Sequence, residues 1–160
     1  MSIKLSGLLL TSLFICLPAI GEQQEERGSA IKVTQGIEGR IEFFEGDFTP
    51  RLVVPGQQDS PRGTITHPKR HVFVFEKAKA DSVVRAFWTK INSKLVASMD
   101  SDNNGYFSIQ LPEGEYSLVV LENGKYHAES FDEEGNIFPV RVKKNEVSSI
   151  RFKIMYKSTH

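Results

Sequence analysis

Residues 94–121 show the clearest hydrophobic pattern in the chain, and they predict three β-strands joined by two tight turns. Apolar residues fall on one side of a pleat at Leu95, Ala97 and Met99, and from Tyr106 to Leu111 the residues of one face alternate with apolar ones of the other. Such alternation is typical of a strand with one buried face. The third segment, 116–121, is more continuously apolar, which predicts a strand deep in a sheet.

The two turns of this region have residues suited to tight bends. The first, Asp102–Gly105, combines short polar side chains that cap their own backbone with a glycine for positive φ. We interpret it as a hairpin turn. In the second, Leu111–Glu115, a proline is followed two residues later by a glycine, which favours type II geometry.

Further runs rich in β-formers recur along the chain at intervals of roughly 8 to 12 residues. They lie at 36–43, 71–76, 126–130, 137–142 and 147–156. Residues 80–91 are interpreted as a strand or irregular structure. Roughly seven to nine strands of this kind predict an all-β fold, a β-sandwich. The predicted two-sheet core consists of Ile41, Phe43, Phe73, Phe75, Phe107, Ile109, Leu118, Val120, Phe152 and Ile154.

Residues 45–70 contain four prolines and many polar residues, so they are predicted to form one long loop. Long loops in compact domains are often functional. Aromatic and basic side chains in and near this loop form a candidate patch for a polypeptide or a glycan. The candidate ligand-binding residues are Phe48, Arg51, Arg62, Lys69, Arg70 and Trp88. The alternative is that Trp88 belongs to the core and the charges are simply solvated.

The N-terminal residues have the composition of a secretory signal peptide at 1–21, with a basic start, a short apolar run and small residues before Glu22. A polar leader, 22–33, and a folded domain, 34–157, follow. Lipidation at Cys16 is disfavoured because the bulky Ile15 precedes it. We therefore expect an exported protein, periplasmic or extracellular, whose mature chain has no cysteine and no transmembrane segment.

Charge gives little indication of partners. Lys4 is the only charged residue of the predicted signal peptide, so the mature chain has 19 basic residues against 20 acidic ones. A dedicated nucleic-acid binder would need a basic excess, and this balance argues against that class.

Several motifs together resemble the carboxypeptidase regulatory-like domain, a transthyretin-like Greek-key β-sandwich. They are the glycine-rich start at Gly36–Ile41, the run Val72–Phe75, the region Ser101–Val120 and the closing alternating strand. The chain is most similar to the small exported single-domain form of Bacteroidetes-type bacteria, and Asp132–Val140 resembles its second segment. The resemblance implies a non-catalytic module for protein or glycan interaction or for envelope structure, with an unknown envelope protein or glycan as its partner.

Three alternatives involve specific chemistry. Asp100, Asp102 and Asn104 match the first half of an EF-hand loop, which suggests weak calcium binding, but the twelfth position is Leu111 instead of a bidentate Glu. A polar turn is the preferred interpretation. The ending Tyr156–His160 loosely resembles the Y-R-G-S ending of transthyretin-like hydroxyisourate hydrolases. His67 and His71 have the i, i+4 spacing of helical zinc sites, but Pro68 disfavours the helix.

Overall fold

The computed structural model describes residues 33–50, 56, 62–81 and 86–160. This part of the chain is all-β, with two sheets and no helix, and so none that could cross a membrane. The predicted signal peptide lies outside the described residues, as does most of the leader. The strands are β1 (Gly36–Asp47), β2 (Gly63–Thr66), β3 (His71–Glu76), β4 (Phe87–Trp88), β5 (Leu95–Asp100), β6 (Tyr106–Gln110), β7 (Gly114–Glu122), β8 (Lys125–His127), β9 (Pro139–Val142) and β10 (Val147–Thr159).

The four-stranded sheet is built around β1. One edge of β1 pairs with β10 in parallel along nearly its whole length. Its other edge pairs antiparallel with β6 at Gly36–Arg40 and with β2 at Phe43–Gly46. The strand predicted at 36–43 is confirmed, and its residues Ile37 and Ile41 are fully buried.

The six-stranded sheet has β3 and β7 at its centre. Strand β5 lies outside β3, while β8 and β9 share the far edge of β7, and β4 pairs with β8. Central strands are buried on both faces, and the sequence of β7 is accordingly a nearly continuous apolar run. Leu118, Val119 and Val120 are all fully buried, so the prediction of a deep third strand is confirmed.

The two sheets share one hydrophobic core, which includes nine of the ten core residues predicted from the sequence. The exception is Phe73. Val72 and Val74 occupy the buried positions of β3, so the alternation of the strand places Phe73 on the opposite face, where it is only half-buried. Phe75, on the same face, is buried, so the prediction for Phe73 differs from the structure in degree of burial alone: Phe73 packs against the core without being part of it.

The hairpin interpretation of Asp102–Gly105 is also wrong. Strand β5 belongs to the six-stranded sheet, β6 to the four-stranded sheet and β7 to the six-stranded sheet again. Both turns therefore carry the chain from one sheet to the other. A tight hairpin occurs instead at Asn123–Gly124, between β7 and β8, where both residues have positive φ, 51° and 75°.

The long loop predicted at 45–70 is interrupted by regular structure. Strand β1 continues to Asp47, and β2 lies within the predicted loop. Gly46 allows this pairing, since its φ is 104° and a Cβ there would lie 2.3 Å from the carbonyl oxygen of Arg62. The glycine thus accommodates a close approach of the two strands.

Candidate interaction site

Strand β5 has one paired edge and one open edge. It pairs with β3, and no other described residue pairs with its outer edge. The amide of Ser101 donates to the carbonyl of Arg70 at 2.8 Å, so the peptide groups of Ser101 face β3. Because alternate residues of an antiparallel strand point their peptide groups to opposite sides, those of Ser98 and Asp100 point away from β3. They are therefore available to another strand.

A β-bulge interrupts β5 near its start. The register with β3 shifts between Val74 and Phe75, so that Val96 is the additional residue. The carbonyl of Lys94 accepts the amide of Glu76 at 2.9 Å and thus faces β3. By the same alternation, the peptide groups of Leu95 point outward together with those of Ser98 and Asp100.

The side chains of β5 make this edge apolar. Leu95 is 47% exposed and Val96 is 37% exposed. From Leu95 to Met99 the strand contains neither a charged residue nor a proline. Proteins commonly protect edge strands with such residues, with bulges or with a covering segment. Between Leu95 and Met99 the bulge is the single protective feature, and the charged Asp100 ends the strand.

A groove of about 370 Å³ opens beside the start of β5. Its apolar wall consists of Leu95, Val96, Pro112 and the ring of Tyr116. The Tyr116 hydroxyl donates to the carbonyl of Pro112 at 3.0 Å, and burial raises the pKa of this phenol. The groove is therefore a hydrophobic recess that can accept an apolar side chain.

Charged residues line the groove alongside this apolar wall. Glu76 and Glu115 contribute carboxylates, and Lys94 contributes an ammonium. The Nζ atom of Lys94 lies 3.5 Å from Oε1 of Glu76, and the lysine side chain is 76% exposed. This ion pair is therefore weak, and Lys94 can reach other partners.

The face of the six-stranded sheet around Phe73 carries an aromatic row. The ring of Phe73 lies 4.5 Å from that of His71 and 5.1 Å from that of Tyr126. Nδ1 of His71 lies 2.6 Å from Oδ1 of Asp100, and this contact, followed by that of Lys69, lowers the pKa of the Asp100 carboxyl. Leu121 is partly exposed. This row connects the end of β5 to the centre of the sheet.

The outer edge of β10 differs from that of β5. Its amide at Met155 donates to Oε2 of Glu129 at 2.9 Å. The strand also carries three basic residues, Arg151, Lys153 and Lys157. A side-chain cap and charges of one sign therefore oppose the addition of a further strand at β10.

A polar cluster next to β10 connects the two sheets. Glu122 is almost fully buried, pairs with Arg70 and accepts the hydroxyl of Tyr156 at 3.0 Å. Burial, followed by this hydrogen bond, raises the pKa of Tyr156. The residue thus holds β10 of one sheet to β7 of the other. Tyr156, which begins the segment compared with the hydrolases, is engaged in this contact.

His127 is fully buried in the same region. Its Nε2 lies 3.2 Å from Oε1 of Glu129, but neither ring nitrogen makes an aligned hydrogen bond within the described part of the chain. The ring packs against Phe87, 4.3 Å away, and Tyr156, 5.4 Å away. We interpret this histidine as a packing residue, because it is enclosed by aromatic rings and has no access to solvent.

The described members of the patch predicted from the sequence each have their own intramolecular partners. Phe48 stacks on His160, with ring centroids 5.5 Å apart, and Arg62 pairs with Asp47. Lys69 and Arg70 pair with Asp100 and Glu122. The indole of Trp88 is buried, and its N–H donates to Asp81 at 3.0 Å. Arg51 lies outside the described residues.

The carboxylates of the predicted calcium loop are engaged in other contacts. Oδ1 of Asp102 accepts the amides of Asn104 and Tyr106, both at 2.8 Å. Asp132 makes the same pair of contacts with the second and fourth residues after it, at 3.0 and 2.8 Å. Within the described residues, no three His, Cys, Asp or Glu side chains are grouped so as to hold a metal ion. Asp102 and Asp132 thus stabilise equivalent turns.

Comparisons of the chain with protein-family models, with curated proteins and with solved structures give no match. The functional argument therefore rests on the residues of this chain. The open edge of β5 was missed by sequence reasoning. Its signal, an apolar run without charge or proline, is present in the sequence, but the sequence does not show that β5 lies at an edge.

Proposed function

We propose that this chain is a non-catalytic interaction module that binds an extended polypeptide along the outer edge of β5. The proposal includes a transthyretin-like Greek-key sandwich of the carboxypeptidase regulatory-like type and export to the periplasm or the cell exterior. The observation that carries the binding function is the open edge of β5, uncharged from Leu95 to Met99, beside a groove with an apolar wall. An added strand would find both hydrogen-bonding groups and a recess for a side chain.

Addition of a strand to a sheet edge is a common way to recognise peptides. The main chain of the partner forms the ladder, and alternate side chains provide specificity. Outward peptide groups at Leu95, Ser98 and Asp100 offer several such hydrogen bonds, each with a net stabilisation of about 1 kcal/mol. A peptide matches this spacing of donors and acceptors along a strand, whereas a glycan does not.

The test is selection from a displayed library of random peptides against the intact protein. The library should yield peptides with alternating apolar residues. Their binding should be lost in Ser98→Pro, because proline removes an outward amide and leaves the ladder with β3 intact. Ser98→Ala is the matched control, and the thermal midpoints of both variants should stay close to that of the parent.

Selected peptides that bind Ser98→Pro and the parent equally would overturn the proposal. So would a glycan array that gives specific binding while the peptide library gives none. Either result would place the interaction away from the backbone of β5.

A further inference from the structure

We infer that the solvent-facing side of the four-stranded sheet binds an acidic polysaccharide, with Arg40 and Arg151 holding a sugar carboxylate. This sheet does not contain β5, so the inference goes beyond the peptide binding proposed above and does not depend on it. The face consists of the outward-pointing residues of three neighbouring strands. They are Glu38, Arg40 and Glu42 of β1, Tyr106 and Ser108 of β6, and Ser149, Arg151 and Lys153 of β10.

The strand registers place two arginines and an aromatic ring in one row across this face. Arg40 of β1 lies opposite Arg151 of β10 on one side and opposite Tyr106 of β6 on the other. Neighbouring strands of a sheet are about 4.8 Å apart, so a row over three strands extends about 10 Å. The row can therefore contact a chain-like ligand that lies across the strands.

Arg40 is held in a defined orientation by two contacts. Its Nε donates to the carbonyl of Asn104 at 3.1 Å, and its guanidinium lies over the ring of Tyr106, 4.6 Å from the ring centroid. Its two Nη groups donate to no residue in the described part of the chain. A guanidinium presents its N–H groups as a planar fork that matches the two oxygens of a carboxylate. Because Arg40 is already oriented, less conformational entropy is lost when an anion binds.

Arg151 adds a second guanidinium beside the first. It is exposed, and within the described ranges neither arginine forms an ion pair with a carboxylate. Like charges directly opposite each other on neighbouring strands destabilise a sheet. An anionic group between Arg40 and Arg151 would replace this repulsion with attraction to both.

The other side chains of the face favour a polysaccharide over other anions. Glu38 and Glu42 flank the row of arginines, and Oε1 of Glu38 accepts the hydroxyl of Ser149 at 2.6 Å. These carboxylates would repel a phospholipid surface or a run of acidic side chains. Sugar hydroxyls can instead donate to them and to Ser108, while a sugar carboxylate accepts from the arginines. Tyr106 is 53% exposed, so its ring can also contact the apolar face of a sugar.

The test is isothermal titration calorimetry of the intact protein with oligomers of galacturonate, glucuronate and mannuronate. At least one of them should bind, and neutral dextran oligomers of equal length should not. Arg40→Gln and Arg151→Gln should each weaken binding about tenfold or more, because each removes charge-assisted hydrogen bonds. Arg40→Lys should also weaken binding, since lysine keeps the charge and loses the planar fork.

The matched control is Arg141→Gln, the same change at an exposed arginine of β9 in the other sheet. It should leave binding of the acidic oligomers unchanged. Thermal midpoints of all these variants should stay close to that of the parent, which shows that a loss of binding is not a loss of folding.

Four results would overturn the inference. They are a folded parent that binds none of the acidic oligomers, an Arg40→Lys variant that binds them as tightly as the parent, an equal loss in Arg141→Gln, and tighter binding to phosphatidylglycerol vesicles or to polyglutamate. Ser98→Pro should leave glycan binding unchanged while it abolishes peptide binding. The two sites can therefore fail separately, and glycan binding that Ser98→Pro abolishes would contradict the placement of the site on the four-stranded sheet.

Discussion

The outer edges of β10 and β5, which belong to different sheets, differ in how they are protected from pairing with another strand. At β10, Glu129 accepts the amide of Met155, and the strand carries three basic residues. At β5, the outward amides have no partner among the described residues, and the side chains beside them are apolar. Both segments form β-strands. The difference shows that edge chemistry, more than strand propensity, separates a structural edge from one suited to binding.

The largest difference between the two sides should appear on truncation of an apolar side chain. Phe152 of β10 is fully buried and stacks on Phe138, with ring centroids 4.6 Å apart. Phe152→Ala should lower the free energy of unfolding by about 3 to 5 kcal/mol. Leu95→Ala on the open edge should change it by less than about 0.5 kcal/mol, since surface positions contribute little. Denaturant unfolding of both variants checks this, and equal losses would mean that the β5 edge is part of the core.

The next effect concerns the buried carboxylate that holds β10. Glu122→Ala would leave Arg70 without its partner and Tyr156 without its acceptor. Removal of one member of a buried pair costs about 3 to 5 kcal/mol. Because the Arg70 side chain is 27% exposed, we expect a loss of about 2 to 3 kcal/mol here. Glu122→Gln keeps an acceptor for Tyr156 and should lose less, as measured by urea unfolding.

A smaller effect is expected for the cap of the β10 edge. Glu129→Ala removes the acceptor of the Met155 amide, which should cost about 1 kcal/mol. The same variant should increase hydrogen exchange at Met155, since the amide would then face solvent. An unchanged exchange rate there would show that Glu129 does not protect this edge.

The smallest effect is a pH dependence at the end of β10. Hydrogen bonds from Thr49 and the charge of Arg62 lower the pKa of Asp47 to about 2, and Thr159 of β10 also donates to this carboxyl. A lowered pKa stabilises the fold above the unfolded value of 3.8. That contribution is lost as the pH falls from about 4 to about 2.

Asp47→Asn should therefore lose less stability than the parent over this interval. Denaturant midpoints measured at several pH values provide the check. Parallel pH profiles for the two proteins would show that Asp47 does not contribute to the acid sensitivity.

The sequence predicted elements that depend on local signals. The alternation in β10 and the apolar run of β7 were identified because each strand shows its own burial pattern. The turn at Asp102 was also identified from local chemistry, since its carboxylate accepts amides within the turn, although the strands that it joins lie in different sheets. The hairpin at Asn123–Gly124 has an equally local signal, which was overlooked.

Long-range pairing was beyond the reach of sequence reasoning. Strand β1 pairs with β10, so that Gly36 lies opposite Val147. Likewise, β6 leaves its sequence neighbours β5 and β7 to pair with β1. Tertiary pairing determines which strands become edges, so the sequence could reveal the uncharged character of β5 but not its exposed edge. The partners of two predicted patch residues have the same origin, because Asp100 and Glu122 come from distant strands to pair with Lys69 and Arg70.

The central claim, that β5 is an open edge that takes another strand, is tested most directly by amide hydrogen exchange at Ser98 and Met99. In dilute protein, Ser98 should exchange at close to the solvent rate, while Met99, which faces Val72, should be protected. With a saturating concentration of a library-selected peptide, Ser98 should become protected as the added strand covers it. Ser98 protected in the free protein, or exchanging freely when the peptide is bound, would contradict this account.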